Sequence, residues 1–247
     1  MMINLQDKIS IVLVEPKSPG NVGMVCRAMK NMGMSDLRLV KGCDRGHPEA
    51  LKFAVSARDL LDAARTFDSL ENALADRELT IATTRRHGKY RQEIFSPEEI
   101  AEMICREMNA NSAALVFGRE DNGLTTEELQ LCRWHATIPA SGEYGSLNLA
   151  QAVLVFCYEL FKIKPSETPV TARAFAPVAE MEALFEHMEN TLLRIGFLDR
   201  QNPAHLMRSL RRIFARAGLD SREVAILRGM MSQIDWASEK PAKAKIS

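Results

Sequence analysis

The segment ISIVLVEPKSPGNVGMVCRAMKNMG, residues 9–33, joins a short apolar run to an amphipathic stretch through a loop that contains proline and glycine. The run of Ile, Val and Leu is typical of a buried strand, and the apolar spacing after residue 20 is typical of a helix. Asn21 offers an amide donor and an acceptor at the start of this helix, and Arg27 follows about two turns later. Taken alone, the segment favours an ordinary helix start with a solvated surface arginine.

The same alternation of apolar runs and helix-period segments continues along the chain. Four further runs predict strands: LRLVKG at 37–42, LTIATT at 79–84, AALVFG at 113–118 and HATIPA at 135–140. The apolar segment SLNLAQAVLVFCYELFKI, residues 146–163, predicts the last helix of this unit. This order indicates an α/β fold in which a mostly parallel sheet is covered by helices. Such sheets bind ligands at the carboxyl ends of their strands, where these loops begin.

The loop after the run at 113–118 carries the charged triplet Arg119, Glu120 and Asp121. Functional residues concentrate on exposed loops that a rigid strand positions. The same letters also predict an ordinary turn into a helix, with Thr125 as the N-cap and Glu128 closing a capping box. The two interpretations are compatible.

The loop after the run at 135–140 contains Gly142, Gly145, Ser146 and Asn148 before the apolar helix. Backbone N–H groups at a helix start can hold an anion or the edge of an adenine ring. The simpler interpretation is that Ser146 only caps the helix. A glycine-rich loop alone does not decide between the two.

The composition of the chain changes near residue 165. KPSETPVTARAFAP, residues 164–177, contains three prolines and little periodicity, as expected of a linker. We therefore predict a first domain over 1–164, a linker over 165–177, a small all-α domain over 178–237 and a flexible tail over 238–247.

One predicted helix of the all-α domain, PAHLMRSLRRIFARAG at 203–218, has a basic face and an apolar face. The basic face carries four arginines: Arg208, Arg211, Arg212 and Arg216. The apolar face, which we expect in the core, carries Leu206, Leu210, Ile213, Phe214 and Ala217. By itself, a row of arginines is most often a solvated face.

The composition also excludes several classes of protein. The chain has 247 residues, 46% hydrophobic and 26% charged, with 32 basic against 32 acidic residues, so its net charge names no partner. Its five cysteines form no C-x-x-C, and its histidines show no metal-ligand spacing, which argues against disulfides and zinc. We expect a cytoplasmic protein without a metal, a signal peptide or a membrane span.

Three glycine-bearing loops at three strand ends are together more specific than any one of them. Asn21, Gly23 and Arg27 form N-x-G-x-x-x-R, residues 117–124 form F-G-x-E-x-x-G-L, and residues 138–148 contain I-P followed by S-L-N. In this order and spacing they resemble the motifs of the SpoU group of SPOUT RNA 2′-O-methyltransferases. Residues 188–234 are similar to the helical C-terminal extension of the members that methylate the ribose of cytidine or uridine 32 in the tRNA anticodon loop.

This resemblance implies a trefoil knot in the C-terminal part of the first domain, a homodimer, and tRNA as the partner. It implies S-adenosyl-L-methionine as the methyl donor, S-adenosyl-L-homocysteine as the product, and no metal. The catalytic residues it implies are Arg27, Ser146, Asn21, Glu120 and Asn148. Because a guanidinium stays protonated, we expect Arg27 to bind phosphate and ribose oxygen rather than to act as a base.

The resemblance also implies the residues that contact the cofactor. The cofactor set is Thr83, Thr84, Arg85, Gly118, Ile138, Gly145, Ser146 and Leu147. Beside it, the charges of Arg86, Lys89 and Arg91 suit RNA phosphates, and next to an RNA-modifying domain the four arginines of 203–218 favour tRNA binding as well.

Three other functions remain as alternatives. The same chemistry on another tRNA position or on ribosomal RNA is the nearest, and the C-terminal similarity argues against it. An RNA-binding module that has lost catalysis is disfavoured by the complete set of motif residues. A nucleotide-dependent oxidoreductase is disfavoured because no G-x-G-x-x-G follows a strand.

Overall fold

The computed structural model describes residues 5–85, 93–107, 111–141, 147–163 and 173–239. The chain divides into two compact units, residues 1–174 and 175–247. The described strands of the first unit are β1 (Ile9–Val14), β2 (Asp36–Val40), β3 (Arg65–Phe67), β4 (Leu79–Thr83), β5 (Ile94–Phe95), β6 (Ala113–Phe117) and β7 (Trp134–Ala136). They form one sheet in the order β3-β2-β1-β6-β4-β7-β5, and each neighbouring pair is parallel.

Helices connect these strands. The described helices of the first unit are α1 (Pro19–Asn31), α2 (Pro48–Ala54), α3 (Arg58–Ala63), α4 (Leu70–Leu74), α5 (Pro97–Glu107), α6 (Thr126–Gln130) and α7 (Leu149–Lys162). Short 3₁₀ segments precede β1 (Leu5–Lys8) and join α2 to α3 (Val55–Ala57). Helix α1 packs against α2 and α7. The predicted α/β fold with a parallel sheet is confirmed.

The five predicted strands correspond to β1, β2, β4, β6 and β7. Every residue of β1 and β6 is buried, because helices cover both faces of a parallel sheet. Strands β3 and β5 were not predicted; they are three and two residues long and have no fully buried residue. Such short strands at the sheet edges leave no apolar run to recognise. The trefoil knot remains a prediction.

The strand order decides where a ligand site can form. Four consecutive neighbours in the sheet are parallel: β1, β6, β4 and β7. The loops that follow them therefore all begin on the side of the sheet where the strands have their carboxyl ends. Helix α1 leaves this side in close contact with α2. A Cβ atom at Gly23 would lie 2.4 Å from the carbonyl oxygen of Ala50, so only glycine permits this approach.

Arg38 connects elements at the other end of the sheet, where the strands have their amino ends, close to the start of β2. Its side chain is 1% exposed and donates to Asp76 (Nη2 to Oδ2, 3.0 Å), to Asp36 (Nε to Oδ2, 3.1 Å) and to the carbonyl oxygen of Ala73. Burial opposes ionisation of Asp76, but hydrogen bonds from Arg38 and Arg77 outweigh it and hold the pKa of Asp76 well below its usual range. This buried charge is therefore fully paired.

The second unit contains three described helices, α8 (Val178–Arg194), α9 (Pro203–Ala217) and α10 (Ser221–Glu239). Helix α8 packs against both α9 and α10. Their shared core includes Leu184, Phe185, Met188, Met207 and Met231. A helical C-terminal region was predicted, and it is confirmed.

The apolar face predicted for α9 is partly wrong. Ile213 is half exposed and Ala217 is exposed, whereas Met207, which was not included, is buried. At 3.6 residues per turn, the inward face centres on Met207 and Phe214, and Ile213 and Ala217 lie roughly 70–110° from that centre. The predicted Leu206, Leu210 and Phe214 do pack against the core.

Three features bear on the expectations about disulfides, membrane spans and metals. All five cysteines are free thiols, and burial raises the pKa of Cys26 and of Cys157 to about 12. Within the described ranges, no helix combines the length and apolar character that crossing a membrane requires. The same residues contain no group of three or more His, Cys, Asp or Glu side chains arranged to hold a metal ion.

Candidate active site

Glu120, in the loop after β6, binds the start of α1. Its carboxylate accepts hydrogen bonds from the N–H groups of Lys17 (3.0 Å) and Ser18 (3.2 Å) and from Nδ2 of Asn21 (2.9 Å). Ser18 is the N-cap of α1, so this negative charge lies at the end of the helix where the dipole favours it. Burial opposes ionisation, but these hydrogen bonds outweigh it and lower the pKa of Glu120. Glu120 is therefore an anion at neutral pH.

Asn21 connects this carboxylate to the third predicted loop. Its Oδ1 accepts a hydrogen bond from Nδ2 of Asn148 at 2.9 Å. Asn148 is the N-cap of α7, because its Oδ1 accepts from the N–H of Ala150 at 2.9 Å and Gln151 closes a capping box. The interpretation of Ser146 as the helix cap is therefore wrong, and Ser146 itself lies outside the described residues. Asn21, Glu120 and Asn148 form one hydrogen-bonded chain across the three loops.

The hydrogen bonds of this chain all have the same direction. An ionised carboxylate only accepts, so Glu120 turns the amide nitrogen of Asn21 toward itself and leaves Oδ1 of Asn21 to face Asn148. Each of these two amide nitrogens retains one further N–H for another partner. The arrangement therefore offers hydrogen-bond donors beside a fixed negative charge.

Arg27 lies on a different face of α1 from Asn21. Six residues correspond to a rotation of about 240° around the helix axis and a rise of about 9 Å. The Arg27 side chain is exposed, and no described residue forms a hydrogen bond or ion pair with it. Within one chain the structure thus joins Asn21, Glu120 and Asn148, and it leaves Arg27 available to a ligand.

The described members of the predicted cofactor set lie at the same end of the sheet, where the strands have their carboxyl ends. Thr83 is the last residue of β4, and its Oγ1 donates to the carbonyl oxygen of Val116 at 2.9 Å. The N–H of Thr84 donates to the carbonyl oxygen of Ala136 at 2.8 Å. Ile138 and Leu147 are half-buried, and Arg85 is exposed. Gly145 and Ser146 lie outside the described residues.

Gly118 stands where two parts of the second loop touch. A Cβ atom there would lie 2.3 Å from the backbone carbon of Gly123, so the loop closes only around a glycine. Loop backbone groups and half-buried apolar side chains, both present at this end of the sheet, are the kinds of group that suit the edge and faces of an adenine ring. The described residues therefore fit an adenosine-containing cofactor such as S-adenosyl-L-methionine.

Comparison with protein families and curated relatives decides the family. Residues 8–158 match the SpoU rRNA Methylase family, and residues 179–245 match the C-terminal domain of the tRNA methyltransferase TrmJ. The tRNA (cytidine/uridine/adenosine-2′-O-)-methyltransferase TrmJ of Pseudomonas aeruginosa is 41% identical over 240 residues, which cover 92% of this chain and 93% of that protein. The chain belongs to the SpoU methylase family.

Two further comparisons extend the similarity of this SpoU methylase over nearly its full length. The tRNA (cytidine/uridine-2′-O-)-methyltransferase TrmJ of Yersinia pestis is 37% identical over 242 residues, covering 95% of this chain and 94% of that protein. The crystal structure of TrmJ from Z. mobilis ZM4 superposes with a TM-score of 0.81 at 34% identity, and the match covers 92% of this chain and 98% of that one. The resemblance read from the three loops and the C-terminal helices is confirmed.

The arginines of this SpoU methylase that were predicted to bind RNA fall into three groups. Arg86, with Lys89 and Arg91, lies outside the described residues. Arg208, Arg212 and Arg216 lie within about 80° of one another around the outward side of α9. Arg211 lies at the edge of the inward side.

Arg211 is already paired within the second unit. Its Nη2 donates to Oε2 of Glu182 at 2.7 Å, Nη1 donates to the other carboxylate oxygen, and the guanidinium lies 4.3 Å from the centre of the Phe185 ring. This geometry joins α8 to α9 by a charge pair and a cation–π contact. It separates Arg211 from the three outward arginines, which the sequence had placed on the same face.

Sequence reasoning missed the function of Arg119 in this site. The capping box of Thr125 and Glu128 was anticipated and is present. The structure adds that Glu128 also pairs with Arg119, which in turn pairs with Glu15 at the end of β1. The charged triplet marked this loop, but no spacing along the chain indicates a pair 104 residues apart.

Proposed function

We propose that this protein, a tRNA 2′-O-methyltransferase of the TrmJ type, methylates the ribose of nucleotide 32 in the anticodon loop. The observation that carries the methyl-transfer assignment is the hydrogen-bonded chain of Asn21, Glu120 and Asn148, which joins the three loops of a SpoU methylase. The tRNA assignment rests on the similarity to TrmJ across both units.

S-adenosyl-L-methionine is the proposed cofactor, and when bound it supplies an activated methyl carbon. The backbone of residues 83–84 and 118, with the side chains of Ile138 and Leu147, would hold its adenosine part. The protein must then align the 2′-oxygen with this carbon and help the hydroxyl lose its proton.

We assign the contact with the ribose to Arg27 and the orientation of the site to the amide chain. The guanidinium stays charged, and its planar fork can bind a phosphate oxygen and the 2′-oxygen together. As the 2′-hydroxyl passes its proton to water, this charge stabilises the developing alkoxide. Each of the two amide nitrogens has a second N–H, a donor of the kind that suits a ribose oxygen.

A homodimer is part of the proposal because α7 carries an uncovered apolar stripe. Leu154, Tyr158 and Phe161 stand at i, i+4 and i+7 and are 39%, 49% and 54% exposed. Large side chains in such a stripe mark a contact surface. Helix α7 packs against α1, the helix that carries the exposed Arg27, and the proposal seats the second copy on the α7 stripe.

Replacing Phe161 with glutamate is therefore expected to convert the dimer into monomers, because a carboxylate buried in an apolar contact remains unpaired. Sedimentation velocity at micromolar concentration measures this change. Ile226→Glu, at an equally exposed apolar position on α10, is the matched control and should leave the mass unchanged. A Phe161→Glu protein that still sediments as a dimer would exclude α7 as the interface.

The outward arginines of α9 are proposed to bind the tRNA backbone. Neutralising Arg208, Arg212 and Arg216 together should weaken tRNA binding roughly tenfold or more at low salt and flatten the log–log salt dependence by about two units, since fewer counterions are released. Cofactor affinity should not change. Fluorescence anisotropy across a salt series gives both quantities.

The control for this change neutralises Arg222 and Arg228, two exposed arginines of the neighbouring helix α10. That protein should bind tRNA with nearly the wild-type salt slope. If the α9 variant keeps the wild-type affinity and slope, the basic face does not bind tRNA.

The position is tested with paired tRNA transcripts that differ only by a ribose or a 2′-deoxyribose at nucleotide 32. The proposal expects methyl transfer to the first and none to the second. Equal transfer to both would move the target to another nucleotide, and no transfer to either, with ribosomal RNA methylated instead, would favour the alternative substrate.

Free thiols throughout and a tRNA substrate support a cytoplasmic location.

A further inference from the structure

Arg119 joins three parts of the first unit that meet beside the candidate site. Its Nε donates to Oε2 of Glu15 at 2.9 Å, and its two Nη atoms donate to the two carboxylate oxygens of Glu128 at 3.0 and 2.9 Å. Nη1 also reaches the carbonyl oxygen of Gly123 at 3.3 Å. The side chain is only 14% exposed, so these bonds are little weakened by solvent.

The backbone of Arg119 closes the loop that carries Glu120. The N–H of Gly123 donates to the carbonyl oxygen of Arg119 at 2.9 Å, and the reverse bond measures 3.3 Å. The guanidinium fixes this closed loop to α6 through Glu128 and to the end of β1 through Glu15. Residues 119–123 therefore form a loop that is closed by two backbone hydrogen bonds and is fixed to neighbouring elements by two ion pairs.

Arg119 and Glu120 bind opposite ends of the same short connection between β1 and α1. Arg119 binds Glu15, while the next residue, Glu120, binds the N–H groups of Lys17 and Ser18. The backbone of Glu15 has φ +46, a conformation that is rare without glycine. The Arg119 bond thus helps hold an unfavourable turn, and that turn places the two N–H groups under the Glu120 carboxylate.

We propose that Arg119 is a positioning residue for methyl transfer, which fixes the Glu120 carboxylate and through it the amide chain of Asn21 and Asn148. This inference rests on the proposed function. Arg119 itself touches neither ribose nor cofactor in this account. Its effect passes through Glu120, so it should appear in the rate of the chemical step and not in ligand affinity.

The geometry requires a guanidinium and not only a positive charge. Two carboxylates and a carbonyl oxygen receive hydrogen bonds from three separate nitrogens of one planar group. A lysine ammonium is a compact charge on a flexible stem and cannot span Glu15 and Glu128 in the same way. Arg119→Lys therefore retains the charge and loses one of the anchors.

The test compares Arg119→Lys with a matched control, Arg77→Lys. Arg77 is also 14% exposed and also pairs with a carboxylate, that of Asp76, but it precedes β4 at the other end of the sheet. For the wild type and both variants, we would measure single-turnover methyl transfer to tRNA at saturating cofactor. For the same three proteins we would also measure the affinities for S-adenosyl-L-homocysteine and for tRNA, and the midpoint temperature of thermal unfolding.

The expected result is a rate about 10- to 100-fold lower for Arg119→Lys, since misplacement by about 1 Å has an effect of this size. Both affinities should stay within about threefold, and the midpoint should fall no further than in Arg77→Lys, whose rate should be near that of the wild type. A rate for Arg119→Lys within about twofold of the wild type would overturn the inference. A rate loss matched by Arg77→Lys, or one that follows the loss of thermal stability, would do so too.

This design separates the inference from the function on which it rests. An active wild type with an unaffected Arg119→Lys protein contradicts only the positioning role. A wild type that methylates no tRNA contradicts the proposed function, and the positioning role is then overturned with it.

Discussion

Replacing Arg27 with alanine is expected to lower single-turnover methyl transfer by about 10²- to 10³-fold at saturating cofactor and tRNA, the usual cost of removing one group that stabilises developing charge. The free energy of unfolding should stay within about 0.5 kcal/mol of the wild type, as for other surface substitutions. The reason is structural: Arg27 is exposed, and no described residue depends on it as a partner. A large change in rate would thus occur without a change in stability.

Two further variants make this result specific. Arg27→Lys keeps the charge and removes the planar fork, so it should recover only part of the rate. Arg106→Ala removes another exposed arginine of the first unit, on α5, and should leave the rate unchanged. If Arg27→Ala transfers methyl groups at the wild-type rate, Arg27 is not the residue that contacts the ribose.

Replacing Arg38 with methionine is expected to have the largest effect on stability. The change removes the buried guanidinium and its hydrogen bonds to Asp36, Asp76 and the carbonyl oxygen of Ala73. Because Asp36 keeps Arg65 and the half-exposed Asp76 keeps Arg77, we expect a loss of about 1–3 kcal/mol. Denaturant unfolding followed by circular dichroism measures the difference. Arg65→Met, which removes a half-exposed partner of Asp36, should cost no more than about 1 kcal/mol.

The pH dependence of unfolding provides a second readout for Arg38. The folded-state pKa values of Asp36 and Asp76 are lowered, so their contribution is present above the ordinary carboxyl pKa of about 4 and is lost as the pH falls through the lower folded values. The wild type should therefore lose more stability than Arg38→Met between about pH 5 and pH 2. Parallel pH curves, or an Arg38→Met protein as stable as Arg65→Met, would contradict this account of the end of the sheet.

Local patterns were sufficient for much of this fold. The five apolar runs became β1, β2, β4, β6 and β7 because strands covered on both faces must be apolar at almost every position. The helical character of 178–237, and the helix at 203–218 within it, could be predicted because their apolar residues recur with a period near 3.6. Strands β3 and β5 were not visible, since three and two residues at an edge carry too little apolar surface.

The site was predictable in its parts and not in its connections. The loops that carry Asn21, Glu120 and Asn148 could be recognised, but no periodicity shows that the two asparagines bond each other across 127 residues. The roles of Arg119 and Arg211 depend on partners from other elements, Glu15 and Glu182. A helical wheel assigns a charged side chain to a surface, but it does not show which neighbour occupies that surface.

Methyl transfer from the cofactor to a ribose oxygen of tRNA can be measured on the purified SpoU methylase. The test incubates the purified protein with labelled S-adenosyl-L-methionine and unmodified tRNA. One sample is digested to nucleosides to identify the labelled group, and a second is cut into oligonucleotides to map the labelled position. We expect label on a 2′-O-methylated nucleoside at position 32. Label on a base, or no label despite intact cofactor binding, would contradict this expectation.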